Sequence, residues 1–288
     1  MASKKVVLIT GCTEGSLGDA LAQAFHERGL RVIATARSPA KMAHLKAKGL
    51  DTLPLDVLSS DSVSKCVDAV NKMTSGRLDI LVNNSGRGYS MPLADASLQE
   101  TRDLFELNVL SVLAVTQAFL PLLLESRGMI VNQTSISSVA PVPMTGIYNA
   151  SKAAASHLTD TLRLELAPFG VKVIDLKTGV VQSGFFRNIN GGTPPKLPEH
   201  SIYAVSRESV EACMAGQRVE KDGVPGDKWA RHVVGDLLKS RPNIRVWRGG
   251  NAWLMWFSRR FMPFTFLDDT MSKHGGLDDV KRQLAKQR

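Results

Sequence analysis

Tyr148 and Lys152 are four residues apart in an alanine-rich segment whose pattern predicts a helix. Residues four apart on a helix lie on one face, so the phenol and the ammonium point into the same space. A phenol titrates at about pH 10 in water and is a poor proton donor near neutrality. A neighbouring cation favours the phenolate and lowers the pKa of the phenol toward the range where acid–base catalysis is efficient. The pair predicts a general acid, although this spacing alone also occurs by chance.

Three other polar sites precede this pair along the chain. Ser135 ends a short apolar run thirteen residues before Tyr148, as expected of a buried parallel strand with hydroxyls at its carboxyl end. Ser137 and Ser138 lie close enough to compete for the same role. Asn108 lies inside a long apolar helical pattern, and Asn84 is the second residue after the predicted strand 78–82. The order and spacing of these residues make coincidence a poor explanation.

A glycine-rich turn follows the first predicted strand, residues 6–9. Gly11 permits a tight turn, while Gly15 and Gly18 let the backbone and the next helix approach a pyrophosphate. The amino terminus of a helix favours that negative charge. An ordinary strand-to-helix turn can have the same composition, so the turn alone leaves both interpretations open. Cys12, within it, is expected to be a small filler rather than a nucleophile.

The residues after the second predicted strand distinguish a site for NAD from a site for NADPH. A site for NAD usually presents Asp or Glu to the ribose 2′-hydroxyl, but residues 32–38 contain no carboxylate. Arg37 can instead meet a 2′-phosphate with its forked donors. The alternative is a solvated surface arginine. The sequence therefore predicts NADPH as the cofactor.

With these motifs in this order, the chain resembles the short-chain dehydrogenase/reductase family over residues 4–185 and a seventh strand near 244–247. The glycine turn has one residue more than the usual family pattern, because Ser16 and Leu17 separate Gly15 from Gly18. Ser85 and Thr178 also replace the usual alanine and proline of two other motifs. The combination, with the segment 246–253, is similar to fungal NADPH-dependent 1-acyldihydroxyacetone-phosphate reductases.

The resemblance implies hydride transfer between NADPH and a carbonyl carbon. Tyr148 would donate the proton to the developing alkoxide, and Lys152 would also bind the nicotinamide ribose. Ser135 would hold the carbonyl oxygen, and Asn108 would position a water near Lys152. Asp56 is expected at the adenine, although a helix cap is equally consistent with its position. The other expected cofactor contacts are Gly11, Thr13, Gly15, Leu17, Gly18, Arg37, Asn84, Thr178, Gly179, Val181 and Ser183.

Nearly all-apolar strands alternate with helices, which predicts a parallel sheet covered on both faces. We expect one α/β domain, a doubly wound Rossmann-type fold with a seven-stranded parallel sheet and a C-terminal substrate lid. The cofactor-binding and catalytic core would span 1–183, a substrate flap with helices 184–243, and the last strand with its extension 244–288. Ligands bind such sheets at the carboxyl ends of the strands, where every motif except Asn108 falls.

Composition excludes several other classes of function. The chain has 288 residues, 43% of them hydrophobic, and its three scattered cysteines suggest neither a disulfide framework nor a metal site. The first residues predict no signal peptide, so a cytoplasmic enzyme is expected. The apolar stretch 109–124 is interrupted by Gln117 and Pro121 and is short for a membrane span, which favours a core or dimer-face helix. A net charge of +9 suits anionic ligands. The sequence has no basic stripe interleaved with aromatic residues, so nucleic-acid binding is not expected.

Substrate choice is expected from the residues after 184. Glycines and prolines in 184–226 indicate a mobile flap rather than a packed element. The aromatic segment 253–266 suits a membrane interface, the mouth of an acyl-chain tunnel or a subunit contact, and a homodimer or homotetramer is expected. If the segment meets a membrane interface, we expect peripheral attachment to endoplasmic reticulum or lipid droplets. The expected substrate is an acyl dihydroxyacetone phosphate, as the resemblance implies, or a steroid, polyketide or terpenoid ketone. A non-catalytic NADPH-binding protein is the alternative, but it would not need all four polar residues of the site.

Overall fold

The computed structural model describes residues 4–216 and 223–287. Its strands, in chain order, are β1 (Val6–Ile9), β2 (Arg31–Ala36), β3 (Asp51–Pro54), β4 (Ile80–Asn83), β5 (Met129–Ser135), β6 (Lys172–Thr178), β7 (Val181–Gln182), β8 (Val224–Pro225) and β9 (Arg245–Arg248). One sheet has the order β3-β2-β1-β4-β5-β6-β9, and all of its strand pairs are parallel. The order reverses between β1 and β4, which places a ligand site at their carboxyl ends.

Helices cover both faces of this sheet. They are α1 (Leu17–Glu27), α2 (Ala43–Ala47), α3 (Ser60–Thr74), α4 (Leu98–Phe105), α5 (Ser111–Ser126), α6 (Gly146–Leu166), α7 (Arg207–Met214), α8 (Gly226–Leu237), α9 (Ala252–Phe261), α10 (Asp268–His274) and α11 (Leu277–Lys286). Phe25 of α1 and Trp229 of α8 pack on one face, while Val63 of α3 and Phe119 of α5 pack on the other. The predicted seven-stranded, doubly wound fold is confirmed.

The long apolar helical pattern that contains Asn108 is divided in the structure by a π-helical turn, Glu106–Leu110, between α4 and α5. The whole stretch Leu98–Ser126 is long and apolar enough to cross a bilayer, but half of its most apolar window is buried inside the protein. Val115 and Phe119 pack against the sheet, as in the core helix of a globular domain. The π turn contains Asn108, and such turns are frequent at functional sites.

The segment after β7 is packed more closely than the sequence indicated. Ile189 and Val210 are buried, and the side chain of Asn190 exchanges two hydrogen bonds with the backbone of Ser90, at 2.9 and 3.1 Å. Val210 belongs to a small hydrophobic cluster with Met144. For the described residues 184–216, the expectation of a segment without a packed element is therefore wrong, because buried apolar side chains anchor it beside the loop that precedes α6.

The C-terminal extension covers the loop between β5 and α6. Met255 of α9 and Met271 of α10 form a cluster with Ala140, and Val280 of α11 joins the cluster of Met144. The loop 139–145 is thus held between the sheet edge and the last three helices. This contact places the extension on the side of the sheet where the polar residues of the site converge.

Candidate active site

The residues that the sequence singled out as catalytic meet at the carboxyl end of β5. Ser135 is the last residue of that strand and is buried, and Tyr148 and Lys152 lie in the first turns of α6. The Ser135 side chain lies close enough to the phenol of Tyr148 to influence its pKa. The backbone N–H of Ser137 donates to Ser135 Oγ at 3.1 Å, and Ser138 Oγ donates to the Ser135 carbonyl at 2.6 Å. Ser137 and Ser138, the alternatives for holding the carbonyl oxygen, therefore hydrogen-bond Ser135 and hold it in place.

Lys152 is buried between α6 and the sheet. Its Nζ atom donates to the Gln133 carbonyl of β5 at 2.9 Å and lies 6.0 Å from the centroid of the Tyr148 ring. The spacing of four residues places both side chains on one helix face, as the sequence predicts. The ammonium, however, lies over the ring and is anchored to the strand.

The pKa values of this pair do not follow the expectation from sequence. Burial raises the pKa of Tyr148 to about 12, and the hydrogen bond from Ser135 only partly opposes that rise. Burial also lowers the pKa of Lys152 to about 8, against the opposing charge of Asp175. The expected lowering of the phenol pKa is thus wrong, because desolvation disfavours both charged forms. Tyr148 is held as the protonated acid.

Asn108 connects the loop after β4 to α6. Its Oδ1 accepts the N–H of Arg87 at 3.0 Å, and its Nδ2 donates to the Arg87 carbonyl at 3.0 Å and to Ser151 Oγ at 3.1 Å. A Cβ atom at Gly86 would lie 3.0 Å from Asn108 Oδ1 and 3.5 Å from Lys152 Nζ. Asn108 and Lys152 therefore border the same space, and the water-positioning role of Asn108 stays a prediction.

The glycine turn between β1 and α1 has the geometry that a pyrophosphate requires. Gly11 and Gly15 have φ angles of 75° and 73°, in the left-handed region that favours glycine. Ser16 caps α1, because its Oγ accepts the Asp19 N–H at 3.1 Å and donates to the Gly11 carbonyl at 3.0 Å. The extra residue of this turn is thus absorbed in the helix cap. Nothing lies within 4 Å of a Cβ built at Gly15, which leaves room above the turn.

Asn84 supports this turn from behind. Its Nδ2 donates to the carbonyls of Thr10 and Gly11 at 2.7 and 3.1 Å. A Cβ at Gly18 would lie 2.5 Å from that Nδ2 atom. The side-chain amide of Asn84, expected at the cofactor, is therefore committed to the turn, and Gly18 is required for the close contact of α1 with β4.

The remaining predicted cofactor residues fall into two groups. Arg37, exposed after β2, has no hydrogen-bond or ion-pair partner in the described part of the chain, and the buried Thr178 hydroxyl also has none there. Both are available to a ligand. Asp56 accepts the N–H of Leu58 at 3.1 Å in the turn before α3, whose cap is Ser59, so the helix-cap alternative is wrong and the adenine contact stays a prediction. Five other predicted residues lie in or next to the segments that follow the carboxyl ends of β1 and β6: Thr13, Leu17, Gly179, Val181 and Ser183. The side chain of Val181 is buried in the core, so only its backbone can face a cofactor.

A guanidinium without a partner, a left-handed glycine turn with open space above it and an orphaned hydroxyl fit a phosphorylated dinucleotide. Cys12, by contrast, is buried, its Sγ bonds the Ile9 carbonyl at 3.3 Å, and burial raises its pKa to about 12. That environment suits an inert filler, as expected. The described residues contain no group of three or more metal-ligating side chains.

Sequence reasoning missed an apolar wall beside the phenol. The ring of Phe185 lies 5.6 Å from the ring of Tyr148, and a Cβ at Gly88 would meet Phe185 at 2.9 Å and Ile189 at 3.1 Å. These residues come from segments far apart in the chain, and no periodic pattern marks them. Sequence reasoning also missed Asp175 and Lys177, although two charges that alternate with Ile174 and Leu176 inside a predicted strand are a visible signal.

Comparison with known proteins agrees with this geometry. The family model for short chain dehydrogenases matches residues 5–193. A short-chain dehydrogenase/reductase of Pestalotiopsis microspora is 48% identical over 284 residues, covering 99% of this chain and 98% of that protein. The NADPH-dependent 1-acyldihydroxyacetone phosphate reductase of Schizosaccharomyces pombe is 41% identical over 211 residues, covering 73% of this chain and 71% of that protein.

Among solved structures, a short-chain dehydrogenase from Streptomyces avermitilis superposes with a TM-score of 0.77 and 27% identity, and 98% of each chain is covered. The likeness thus extends over the sheet, the site and the C-terminal extension. The glycine turn, the Asn108, Ser135, Tyr148 and Lys152 arrangement and these relatives lead to one conclusion: the chain belongs to the short-chain dehydrogenase/reductase family of oxidoreductases.

Proposed function

We propose that this protein is an NADPH-dependent reductase that converts a ketone to a secondary alcohol. The observation that carries the proposal is the convergence of the buried Ser135, the Tyr148 phenol and the buried Lys152 at the sheet edge that also holds the glycine turn. A cofactor-binding protein without turnover would not need a protonated acid, its hydrogen-bond partner and a buried cation at one point.

Each residue has one part in the reaction. Bound NADPH supplies the hydride that the carbonyl carbon accepts. The Ser135 hydroxyl holds the carbonyl oxygen, and Tyr148 transfers its proton to that oxygen as negative charge develops. The raised pKa of Tyr148 keeps the acid protonated before the reaction. Lys152 in its charged form then stabilises the phenolate that remains.

The preference for NADPH rests on Arg37. The guanidinium stands exposed just after β2, and residues 32–38 offer no carboxylate to a ribose 2′-hydroxyl. A 2′-phosphate supplies the acceptors that a forked guanidinium binds. The Schizosaccharomyces pombe relative is named for NADPH dependence, which supports the same choice.

The apolar wall next to Tyr148 favours a lipid-like ketone. The Phe185 ring lies 5.6 Å from the Tyr148 ring, and the buried Ile189 packs next to it at Gly88, so the surroundings of the phenol are apolar on this side. An acyl dihydroxyacetone phosphate has such a chain, and the named relative supports it. A steroid, polyketide or terpenoid ketone also fits an apolar wall and is the alternative substrate class.

NADPH oxidation measured at 340 nm against both substrate classes tests the proposal. Turnover of at least one ketone with NADPH, and at least about tenfold weaker turnover with NADH, is expected. Preference for NADH would contradict the cofactor assignment. Binding of NADPH without turnover of any ketone in the panel would favour the non-catalytic alternative.

We also propose that the aromatic residues of 253–266 contact an anionic lipid surface, for a peripheral rather than a spanning attachment. Trp253 is 66% exposed and Phe264 is 76% exposed, while Met255 and Ser258 turn inward. A tunnel wall would bury these rings. Arg260 adds positive charge to the exposed face, and aromatic rings beside arginine suit the headgroup region. The alternative to a lipid surface is a second copy of the chain, which would cover the same rings in a homodimer or homotetramer.

A further inference from the structure

A fully buried ion pair lies behind the site. Lys177 Nζ and Asp175 Oδ2 of β6 are 2.8 Å apart, and their side chains are 2% and 1% exposed. Lys177 also donates to Ser138 Oγ and to Ser156 Oγ, each at 2.8 Å. Thr134 and Ser156 donate to the Asp175 carboxylate, the latter at 2.8 Å. All three protons of the ammonium therefore have acceptors.

Burial of two charges is expensive, and an apolar pair of similar size is often as stable or more stable. Stability is thus a weak reason for charges at these positions. Both charges lie in the buried part of β6, which pairs with β5, the strand that delivers Ser135. Their hydrogen bonds connect elements that carry catalytic residues.

One branch of the network reaches Ser135. Lys177 donates to Ser138 Oγ, and the hydroxyl proton of Ser138 is directed to the Ser135 carbonyl at 2.6 Å. The ammonium therefore orients the hydroxyl that holds the turn 136–138, whose Ser137 N–H in turn contacts Ser135 Oγ at 3.1 Å. The position of the Ser135 hydroxyl against the phenol depends on that turn.

A second branch reaches the helix that carries Lys152. Ser156 lies one turn after Lys152 on α6 and binds both members of the pair. The Asp175 carboxylate also favours the charged form of Lys152, against the larger effect of burial on its pKa. The pair is thus the point at which β5, β6 and α6 are held together.

We propose that Asp175 and Lys177 are positioning residues, which act through Ser138 and Ser156 to hold Ser135 and Lys152 in register for proton transfer. This assignment rests on the proposed reductase function for its kinetic consequence. The geometric consequence, a turn 136–138 held by Lys177, holds whether or not the protein reduces a ketone.

Ser138→Ala is the sharpest test, because it removes the link to Ser135 and leaves the ion pair intact. We expect kcat to fall about tenfold to a hundredfold, the loss typical of one hydrogen bond to a charged group, with KM and NADPH affinity unchanged. Ser138→Thr keeps the hydroxyl and should restore kcat. Ser126→Ala is the matched control, since Ser126 Oγ bonds the Leu123 carbonyl at the opposite end of the sheet, and its kcat should equal that of wild type.

Hydrogen exchange provides a readout that does not require activity. Amides of the peptide 135–140 should exchange about tenfold faster in Ser138→Ala than in Ser126→Ala. Faster exchange without ketone reduction by wild type would refute the proposed function and leave the positioning role standing. Unchanged exchange together with unchanged kcat would overturn the positioning role.

Neutralising the pair separates positioning from stability. Lys177→Met alone leaves a buried carboxylate without its cation and should destabilise the fold. Asp175→Asn combined with Lys177→Met removes both charges and should recover most of the unfolding midpoint while kcat stays low. If kcat recovers together with the unfolding midpoint in the double variant, the pair only stabilises the fold, contrary to the proposal.

Discussion

Lys152 Nζ lies 6.0 Å from the centroid of the Tyr148 ring and donates its hydrogen bond to the Gln133 carbonyl at 2.9 Å. The two residues share a helix face, yet burial raises the pKa of the phenol to about 12 and lowers that of the ammonium to about 8. The site therefore holds a protonated phenol beside an ammonium whose charged form is disfavoured by burial. This relationship determines how the site should respond to mutation and to pH.

Tyr148→Phe removes the acid and preserves the ring. Ketone reduction should fall by about a hundredfold to ten-thousandfold, the usual contribution of general acid catalysis. NADPH affinity, measured by fluorescence titration, should change little. Tyr203→Phe, at a partly buried tyrosine packed in the Met144 cluster, is the matched control. A Tyr148→Phe enzyme with most of its activity would show that another group donates the proton.

Lys152→Met tests the cost of the buried ammonium. Between pH 8 and 10.5 the unfolded chain holds the Lys152 proton and the folded protein has lost it. The stability of wild type therefore gains from this group as pH rises through that window, and below pH 8 the cost is fully present. Relative to wild type, the free energy of unfolding of Lys152→Met should decline by about 3 kcal/mol from pH 7 to pH 10.5.

Urea unfolding at several pH values measures that difference. Lys65→Met, at an exposed lysine paired with Asp61, should show a difference from wild type that hardly changes with pH. A Lys152→Met difference equally insensitive to pH would mean that the ammonium of Lys152 is not desolvated in the folded protein.

Arg37→Asp should weaken NADPH binding by about tenfold to a hundredfold, because a charge-assisted partner of the 2′-phosphate becomes a like charge. NADH affinity should hold or improve, since a carboxylate suits the ribose 2′-hydroxyl. Calorimetric titration of both nucleotides measures the change. Arg102→Asp, on the exposed face of α4, makes the same charge change away from the turn. Equal losses of NADPH affinity in the two variants would show that Arg37 acts only through the net charge of the protein and not through contact with the 2′-phosphate.

Gly18→Ala should disturb the dinucleotide turn. The added Cβ would lie 2.5 Å from both Asn84 Nδ2 and the Gly11 carbonyl, so the backbone must shift. We expect a loss of NADPH affinity and a lower unfolding midpoint. Gly235→Ala in α8 is the control, because its Cβ would lie 3.6 Å from Arg28 and should stabilise the helix by about 0.5–1 kcal/mol. A Gly18→Ala protein that binds NADPH normally would show that the turn adjusts without cost.

Replacing Trp253 and Trp256 with serine tests the lipid contact. Wild type should float with vesicles that contain phosphatidylserine, and salt should release part of it because screening weakens the charge contribution. The double variant should remain in the dense fraction and keep its activity on a short soluble ketone. Phe169→Ser, at another exposed ring, should float like wild type. A wild type that does not float, with a variant that sediments as a smaller species, would assign the face to a second copy of the chain.

The sequence by itself determined the sheet and the order of its elements, and it predicted which residues meet at the candidate site. Apolar strands alternating with helices leave few other topologies, and Tyr148 and Lys152 share a face because of helix geometry alone. The tight turn at Gly11 and Gly15 is equally local, because only glycine adopts its left-handed backbone without strain.

Tertiary structure alone decided the pKa values of Tyr148 and Lys152, since desolvation depends on what packs over a group and not on its neighbours in sequence. It also brought Phe185 to the phenol and connected Lys177 through Ser138 to Ser135. These contacts join residues that are distant in the chain, and no local propensity encodes them. The exposure of the aromatic helix α9 belongs to the same class, because whether an apolar side chain is buried depends on which surfaces the completed fold leaves uncovered.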